Sequence, residues 1–294
     1  MLQLRQKLER IYKLFATACF SMLLAAVGNL LNKKTPNITT SVAQQLQSSQ
    51  AVCQDFMRYI EFNQACRYLC RDGYVVNYNN TTKQPNWVAY RVTSKSISHK
   101  TKRKDQFEPD ISIHKDYRAE LFDYKKSGYD RGHLAEYASM DFSDQSARQS
   151  FLISNMSPQR AGLNRHGWSE LEKYVRLWAK ARGELYVYTG IIHKNKKPHT
   201  FIGKNKVAVP DYFYKVIYAP RQKESIAFVM PNKKVEKQEV AKYRASIKEI
   251  QTRADVNFFN VLDINERQKL INKVSHMWRT NYKNKEKNDR IHYT

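Results

Sequence analysis

The sequence predicts an α+β fold in which an antiparallel β-sheet is flanked by helices. One observation is a set of segments rich in β-branched and aromatic residues, a composition that favours strands. A second is a set of longer segments with the apolar spacing of helices. The predicted strands are residues 74–78, 87–93, 184–190, 212–218 and 225–230, and the predicted helices run from residue 168 toward 183, over 240–254 and over 266–278.

The first 28 residues have the plan of a secretory signal peptide. Four basic residues lie between positions 5 and 13, and an apolar run follows from Leu14 to Val27. Because Leu30 and Leu31 extend that run to roughly 18 residues, an uncleaved membrane anchor is the alternative. The cleaved protein would be secreted or periplasmic and would have no stable membrane partner.

The rest of the chain divides by composition. Residues 29–50 are polar and rich in Ser, Thr and Gln, which predicts a linker. Residues 51–280 are long enough to bury one substantial core, and residues 281–294 predict a basic tail. We expect Cys66 and Cys70 in a small helix, with any disulfide joining Cys53 to one of them, and three packed thiols are the alternative.

The segment Asp130-Arg131-Gly132-His133 carries three kinds of group that phosphodiester chemistry uses. A histidine takes a proton from water near neutral pH, and a guanidinium holds a phosphate through a planar fork of N–H donors. Gly132 lets the backbone turn sharply or lie close to substrate. A surface turn with a salt-bridged Asp and Arg is the simpler interpretation of these four residues alone.

Further polar residues follow in an ordered arrangement. Residues 152–159 predict a short apolar strand that enters a polar turn, and Asn164 and Glu172 then lie at the start of a helix. In a continuous helix these two side chains would be roughly 12 Å apart, so both could not bind one ion directly. Mg²⁺ prefers oxygen ligands and keeps several waters, which suits Asn164 as the direct ligand and Glu172 as a ligand through water. The alternative for Glu172 is an i,i+4 pair with Arg176.

These motifs resemble the DNA/RNA non-specific endonuclease family, the ββα-metal nucleases of the Serratia nuclease and endonuclease G type. The resemblance rests on DRGH at 130–133, LISNMSPQ at 152–159, N-x3-W-x2-LE at 164–172 and YVYTG at 186–190. It covers roughly residues 74–218 and implies a ββα-metal element within the α+β fold. It also implies a hydrolase that cleaves DNA and RNA with little base readout.

The resemblance implies a role for each site residue. His133 would be the general base that activates water, and Asn164 the direct ligand of one Mg²⁺, with Mn²⁺ as a substitute. Glu172, acting through water, and Asn155 would orient the waters of the metal and the site. Arg131 would stabilise charge on the phosphate.

The family also places a phosphate-contacting arginine in the loop that precedes the DRGH motif. Arg103, four residues before Phe107, is our candidate for this role. Because the length of this loop varies, Lys102 and Lys104 are the alternatives. An ordinary solvated basic loop is the simpler interpretation of the same residues.

The charge of the chain points to a polyanionic partner. The formal net charge is +24 for 294 residues, and the lysines are concentrated at 193–206, 233–248 and 268–287. We therefore expect binding to DNA and RNA through the phosphate backbone, and a homodimer is left open. Two other functions remain alternatives: a basic nucleic-acid-binding protein on a nuclease-like fold, and a phosphodiesterase that acts on small nucleotides.

Overall fold

The computed structural model describes residues 51–61, 67–98 and 101–280. The predicted signal peptide, linker and basic tail lie outside these ranges, as does Cys66. Within them, no helix has both the length and the apolar character that crossing a membrane requires.

The described ranges contain short and long strands and six labelled α-helices. The strands are β1 Ile60–Glu61, β2 Arg67–Cys70, β3 Tyr74–Asn79, β4 Gln84–Thr93, β5 Asp130–His133, β6 Met156–Gln159, β7 Glu184–Ile192, β8 Phe201–Ile202, β9 Val207–Ala208, β10 Tyr212–Ala219, β11 Glu224–Pro231, β12 Arg244–Ala245 and β13 Asn257–Phe258. The helices are α1 Leu121–Tyr124, α2 Tyr137–Met140, α3 Asp144–Gln149, α4 Ser169–Arg182, α5 Ile247–Ala254 and α6 Ile264–Asn272, and residues 51–56 are also helical.

Seven strands form one antiparallel sheet in the order β12, β11, β10, β7, β4, β3, β2. Its long hairpins follow from β-branched and aromatic runs joined by short turns, as in the pairing of Tyr214 with Val229 and of Val76 with Val88. The predicted strands over 74–78, 87–93, 212–218 and 225–230 and the α+β fold class are therefore confirmed. The connection between β3 and β4 is shorter than expected, because the strands extend to Asn79 and from Gln84.

Helices cover both faces of this sheet, so successive strand residues are buried on opposite sides. On one face the sheet packs against α4 and the residues just before it, through Tyr90, Ile217, Trp168, Leu171 and Trp178. On the other face it packs against residues 51–56, α5 and α6, through Phe56, Tyr188, Val216, Ile250 and Leu270. The functional motifs lie on the α4 side.

A disulfide between Cys53 and Cys70 ties the N-terminal helical residues to strand β2. The expected pairing of Cys53 with one of the two later cysteines is thus confirmed. The expected helix around Cys70 is wrong, because Arg67–Cys70 pairs with β3 as an edge strand.

The two C-terminal helices are shorter than expected. Over 240–254 the chain first forms a 3₁₀ helix, Lys237–Tyr243, and then strand β12, because Ala245 pairs with Ala227 of the sheet. Helix α5 begins only after the Ser246 side chain accepts a hydrogen bond from the backbone N–H of Glu249.

Helix α6 ends at Asn272 rather than at Trp278. The segment that follows is non-helical and returns to α4. There the indole Nε1 of Trp178 donates to the carbonyl oxygen of Trp278, with 2.9 Å between the two atoms. The indole rings meet edge to face, with centroids 5.4 Å apart.

Gly190 in β7 provides the space that the aromatic ring of Tyr214 in β10 occupies. A Cβ atom at position 190 would lie 2.4 Å from Cζ of that ring. We expect Gly190→Ala to lower the free energy of unfolding by about 1–3 kcal/mol, measured by urea denaturation. In a Tyr214→Val background the cost of the same change should shrink, and an undiminished cost there would contradict this explanation.

Candidate active site

The DRGH motif forms strand β5, which pairs antiparallel with β6. Asp130 lies opposite Gln159, and His133 lies opposite Met156. Gly132 is therefore part of a strand, so the sharp turn, one of the two alternatives expected for this glycine, is wrong. Its missing side chain makes room for Gln159, since a Cβ atom there would lie 2.6 Å from Cβ of Gln159. The two short strands and the helix that begins near Asn164 form the expected ββα arrangement.

His133 lies between two phenylalanine rings. Its ring centroid is 5.6 Å from that of Phe107 and 5.2 Å from that of Phe151, and its Nε2 is buried without a hydrogen-bond partner among the described residues. Burial lowers the pKa of His133 to about 3, and the nearby Arg103 and Arg131 guanidinium groups act in the same direction. The imidazole is therefore neutral at pH 7 and is oriented by packing.

Asn155 is fully buried and ties the end of β5 to β6. Its Nδ2 donates to the carbonyl oxygens of Ala135 and Ser150 at 2.9 and 2.8 Å, and its Oδ1 accepts from the backbone N–H of Ala135 at 2.9 Å. Both amide hydrogens are used in this way. Asn155 therefore acts on the backbone next to His133, in line with the expectation that it orients the site, and its action on the waters of a metal stays a prediction.

A π-helical segment, Leu163–Trp168, precedes α4 and changes the geometry expected for a continuous helix. In a regular α-helix, side chains eight positions apart point about 80° away from each other. A π turn advances each residue by roughly 80° instead of 100°, so Asn164 and Glu172 come close to a common face. Both side chains line the same cleft as His133.

Asp130 fixes the orientation of the Asn164 carboxamide. The Nδ2 of Asn164 donates to Asp130 Oδ2 at 3.0 Å, which leaves its Oδ1 without a hydrogen-bond partner among the described residues. Arg165 holds Asp130 in turn by a two-pronged contact of 2.8 and 2.7 Å. Hydrogen bonds from Arg165 and Asn164 lower the pKa of Asp130 despite its partial burial. Sequence reasoning missed Arg165, although it directly follows the expected metal ligand.

Glu172 lines the cleft and makes no ion pair with Arg176, contrary to the simpler alternative. Arg176 instead pairs with Glu136, whose Oε1 also accepts from Ser139 Oγ at 2.8 Å. Burial and the Glu136 carboxylate raise the pKa of Glu172.

Lys215 is fully buried beneath this group of charged residues. Its Nζ donates to Thr189 Oγ1 at 2.6 Å and lies 4.8 Å from the centroid of the Trp168 ring. Burial lowers the pKa of Lys215, and the Glu172 carboxylate opposes that shift. Sequence reasoning missed this residue, although a lysine within the apolar strand Tyr212–Ala219 is a visible signal.

The two expected phosphate-binding arginines both line the cleft. The Arg131 guanidinium lies 4.3 Å from the centroid of Phe107, and that of Arg103 lies 5.3 Å from the centroid of Tyr137. Lys102 and Lys104 are exposed and lie outside the cleft lining. Stacking on aromatic rings holds both guanidinium groups in place. Nε of Arg103 also donates to Asp105 Oδ1 at 2.7 Å, so the terminal N–H groups of Arg103 and the donors of Arg131 are the ones that a phosphate could use.

The cleft that these residues line has a volume of about 1050 Å³. The described residues hold no group of three or more His, Cys, Asp or Glu that could bind a metal. An ion in this cleft would depend on the Asn164 carboxamide oxygen, the Glu172 carboxylate and waters.

The pKa of His133 predicts how stability depends on pH. Between about pH 6.5 and 3 the unfolded chain binds a proton that the folded chain excludes, so the folded state loses stability as pH falls. We expect His133→Phe to remove this dependence, which amounts to at most about 1.4 kcal/mol per pH unit. Urea unfolding from pH 6.5 to 4.5 measures it. Equal slopes for wild type and variant would show that His133 titrates normally.

Comparison with known proteins identifies the family of this chain. The model of the family described as DNA/RNA non-specific endonuclease matches residues 56–265. Nuclease C1 of Cunninghamella echinulata var. echinulata is 30% identical over 212 residues, covering 67% of this chain and 84% of that protein. Human mitochondrial endonuclease G is 35% identical over 178 residues, covering 56% of this chain and 60% of that protein.

A solved structure, that of the EndoG/EndoGI complex, has a similar fold. Its TM-score is 0.66 with 29% sequence identity, and the match covers 72% of this chain and 93% of that chain. The resemblance inferred from the motifs is thus confirmed. The chain belongs to the DNA/RNA non-specific endonuclease family and is a phosphodiester hydrolase.

Proposed function

We propose that this protein is an exported endonuclease that hydrolyses DNA and RNA, with His133 as general base and one Mg²⁺. The observation that carries the proposal is the shared cleft. His133, Asn164, Glu172, Arg103 and Arg131 come from separate parts of the chain and line the same cleft. A protein that only bound nucleic acid would have no need of this combination.

The residues in the cleft fit a magnesium ion. The Asn164 oxygen is left available because its amide nitrogen is bound to Asp130, and the Glu172 side chain lines the same cleft. Such a neutral oxygen and a carboxylate, completed by waters, are ligands that Mg²⁺ accepts. When bound, the ion would neutralise charge on the phosphate and on the leaving oxygen.

His133 would accept the proton of the attacking water. A neutral imidazole is the form that this step requires, and the packing of Phe107 and Phe151 favours that form. The low pKa of His133 makes it a weak base in the free protein. A phosphate bound beside Arg103 and Arg131 would offset their positive charge, raise the pKa and strengthen the base.

Arg131 and Arg103 would hold the phosphate and stabilise the charge that develops on it. The excess positive charge of +24 would draw in any nucleic acid, because phosphates are common to DNA and RNA. Contacts of this kind carry no sequence information, which supports cleavage without base specificity. The basic and apolar pattern of residues 1–28 supports export.

Plasmid cleavage tests the function directly. We expect degradation of plasmid DNA and of RNA with Mg²⁺ and none with EDTA, and faster cleavage of the polymers than of a small chromogenic diester. Cleavage of the small diester alone would indicate a phosphodiesterase. Binding of the plasmid without cleavage would indicate a protein that only binds nucleic acid.

Removal of the base should separate binding from chemistry. We expect His133→Ala to lower turnover by ~10²-fold or more while DNA affinity in EDTA stays the same. His114→Ala is the matched control, because the His114 side chain is 63% exposed and lies outside the cleft lining. Wild-type turnover in the purified His133→Ala variant would exclude His133 as the base.

Loss of the direct ligand should change the metal requirement. We expect Asn164→Ala to raise the Mg²⁺ concentration for half-maximal activity by roughly 10- to 100-fold. DNA affinity measured in EDTA should not change. The control is Asn272→Ala, since Asn272 is exposed at the end of α6. An unaltered Mg²⁺ titration for Asn164→Ala would remove Asn164 as the ligand.

A further inference from the structure

The side of the cleft formed by α1 is apolar. Leu121 and Phe122 line it and are 36% and 53% exposed. Ile111 and Tyr117, which are 85% and 51% exposed, precede them in the chain. Single exposed apolar residues are ordinary, but Leu121 and Phe122 side by side in the lining of a charged cleft indicate a binding surface.

The turn that carries Phe122 is held firmly by its neighbour Asp123, which is buried. The Asp123 carboxylate accepts hydrogen bonds from the backbone N–H of Glu120 at 2.8 Å, and from the backbone N–H and Nδ2 of Asn205, both at 2.9 Å. Gly203 packs so closely that a Cβ atom there would lie 2.4 Å from Cα of Asp123. The Phe122 side chain is therefore exposed, while these contacts fix the backbone that carries it.

Two other aromatic rings that line the cleft already have cationic partners. Arg131 lies over Phe107 at 4.3 Å, and Arg160 lies over Tyr129 at 4.2 Å. Phe122 has no cation or ring partner within the described ranges. Lys125, three residues later, lines the same cleft. A basic groove with an uncovered aromatic ring is the arrangement that binds single-stranded nucleic acid.

We propose that Phe122 stacks on an unpaired base of the substrate beside the phosphate held at His133. The chain would then favour single-stranded or locally unwound nucleic acid. The inference rests on the proposed nuclease function and adds a substrate class to it. Bases inside a duplex are stacked on one another, so their faces cannot reach the ring, whereas an unpaired base can. The cleft volume of about 1050 Å³ leaves room for a base next to the phosphodiester.

Two single-stranded 12-mers with the same phosphates test the stacking. One consists of thymidine residues and the other of abasic tetrahydrofuran residues, and binding is measured by fluorescence anisotropy in EDTA. We expect the wild-type protein to bind the thymidine 12-mer about 5- to 150-fold more tightly, the range for one base on an aromatic ring. Phe122→Leu should lose most of this ratio while its affinity for the abasic 12-mer stays the same.

Two further variants separate stacking from fold. Phe122→Trp should keep the ratio, because it retains an aromatic face, and Ile111→Ala should keep it because Ile111 does not line the cleft. Equal wild-type affinity for both 12-mers, or equal weakening of both by Phe122→Leu, would overturn the proposal.

The comparison in EDTA also separates this inference from the proposed function. A preference for the thymidine 12-mer without Mg²⁺-dependent cleavage would support the stacking site and contradict the proposed nuclease function. Mg²⁺-dependent cleavage without a preference for the thymidine 12-mer would support the proposed nuclease function and contradict the stacking site.

Discussion

The buried amide of Asn155 is the contact on which the geometry of the cleft depends. It joins the backbone after His133 to the backbone before β6 through three hydrogen bonds, in a place that water does not reach. Leaving a buried amide without hydrogen-bond partners costs free energy, so the three hydrogen bonds of Asn155 stabilise one another. His133 consequently lies at the end of a fixed strand, and the rings of Phe107 and Phe151 need only set its rotation.

The second constraint is the close packing around the π-helical segment. The backbone N–H of Gly167 donates to the carbonyl oxygen of Val235 at 2.9 Å, and a Cβ atom at Gly167 would lie 2.5 Å from Cγ1 of Val235. The segment that follows β11 thus packs against the π-helical segment that brings Asn164 and Glu172 close to a common face. Contacts distant in sequence, rather than helix propensity, stabilise this unusual turn.

Much of the fold could be predicted because both halves of its sheet contain local hairpins whose residue types favour strands, as in Tyr212–Ala219 and Glu224–Pro231. The pairing of β4 with β7, which joins the two halves, is distant in sequence. Candidate site residues could be named because their side chains suit phosphodiester chemistry and their motifs resemble those of the family. The π turn could not be predicted, since it depends on Val235, some 70 residues away from Gly167 in the chain. The hydrogen bonds of Asn155 could not be predicted for the same reason, because its partner Ala135 is brought to it only by the pairing of β5 with β6.

The charged residues beneath the cleft have a further consequence. Glu136 and Arg176 form an ion pair, and Glu172 and Lys215 interact electrostatically within the same buried region. Because burial and Glu136 raise the pKa of Glu172, this side chain keeps its proton to a higher pH than an ordinary glutamate. A positive charge that entered the cleft would favour the ionised form and release this proton. The protonation of this buried carboxyl group is thus coupled to whatever charge enters the cleft.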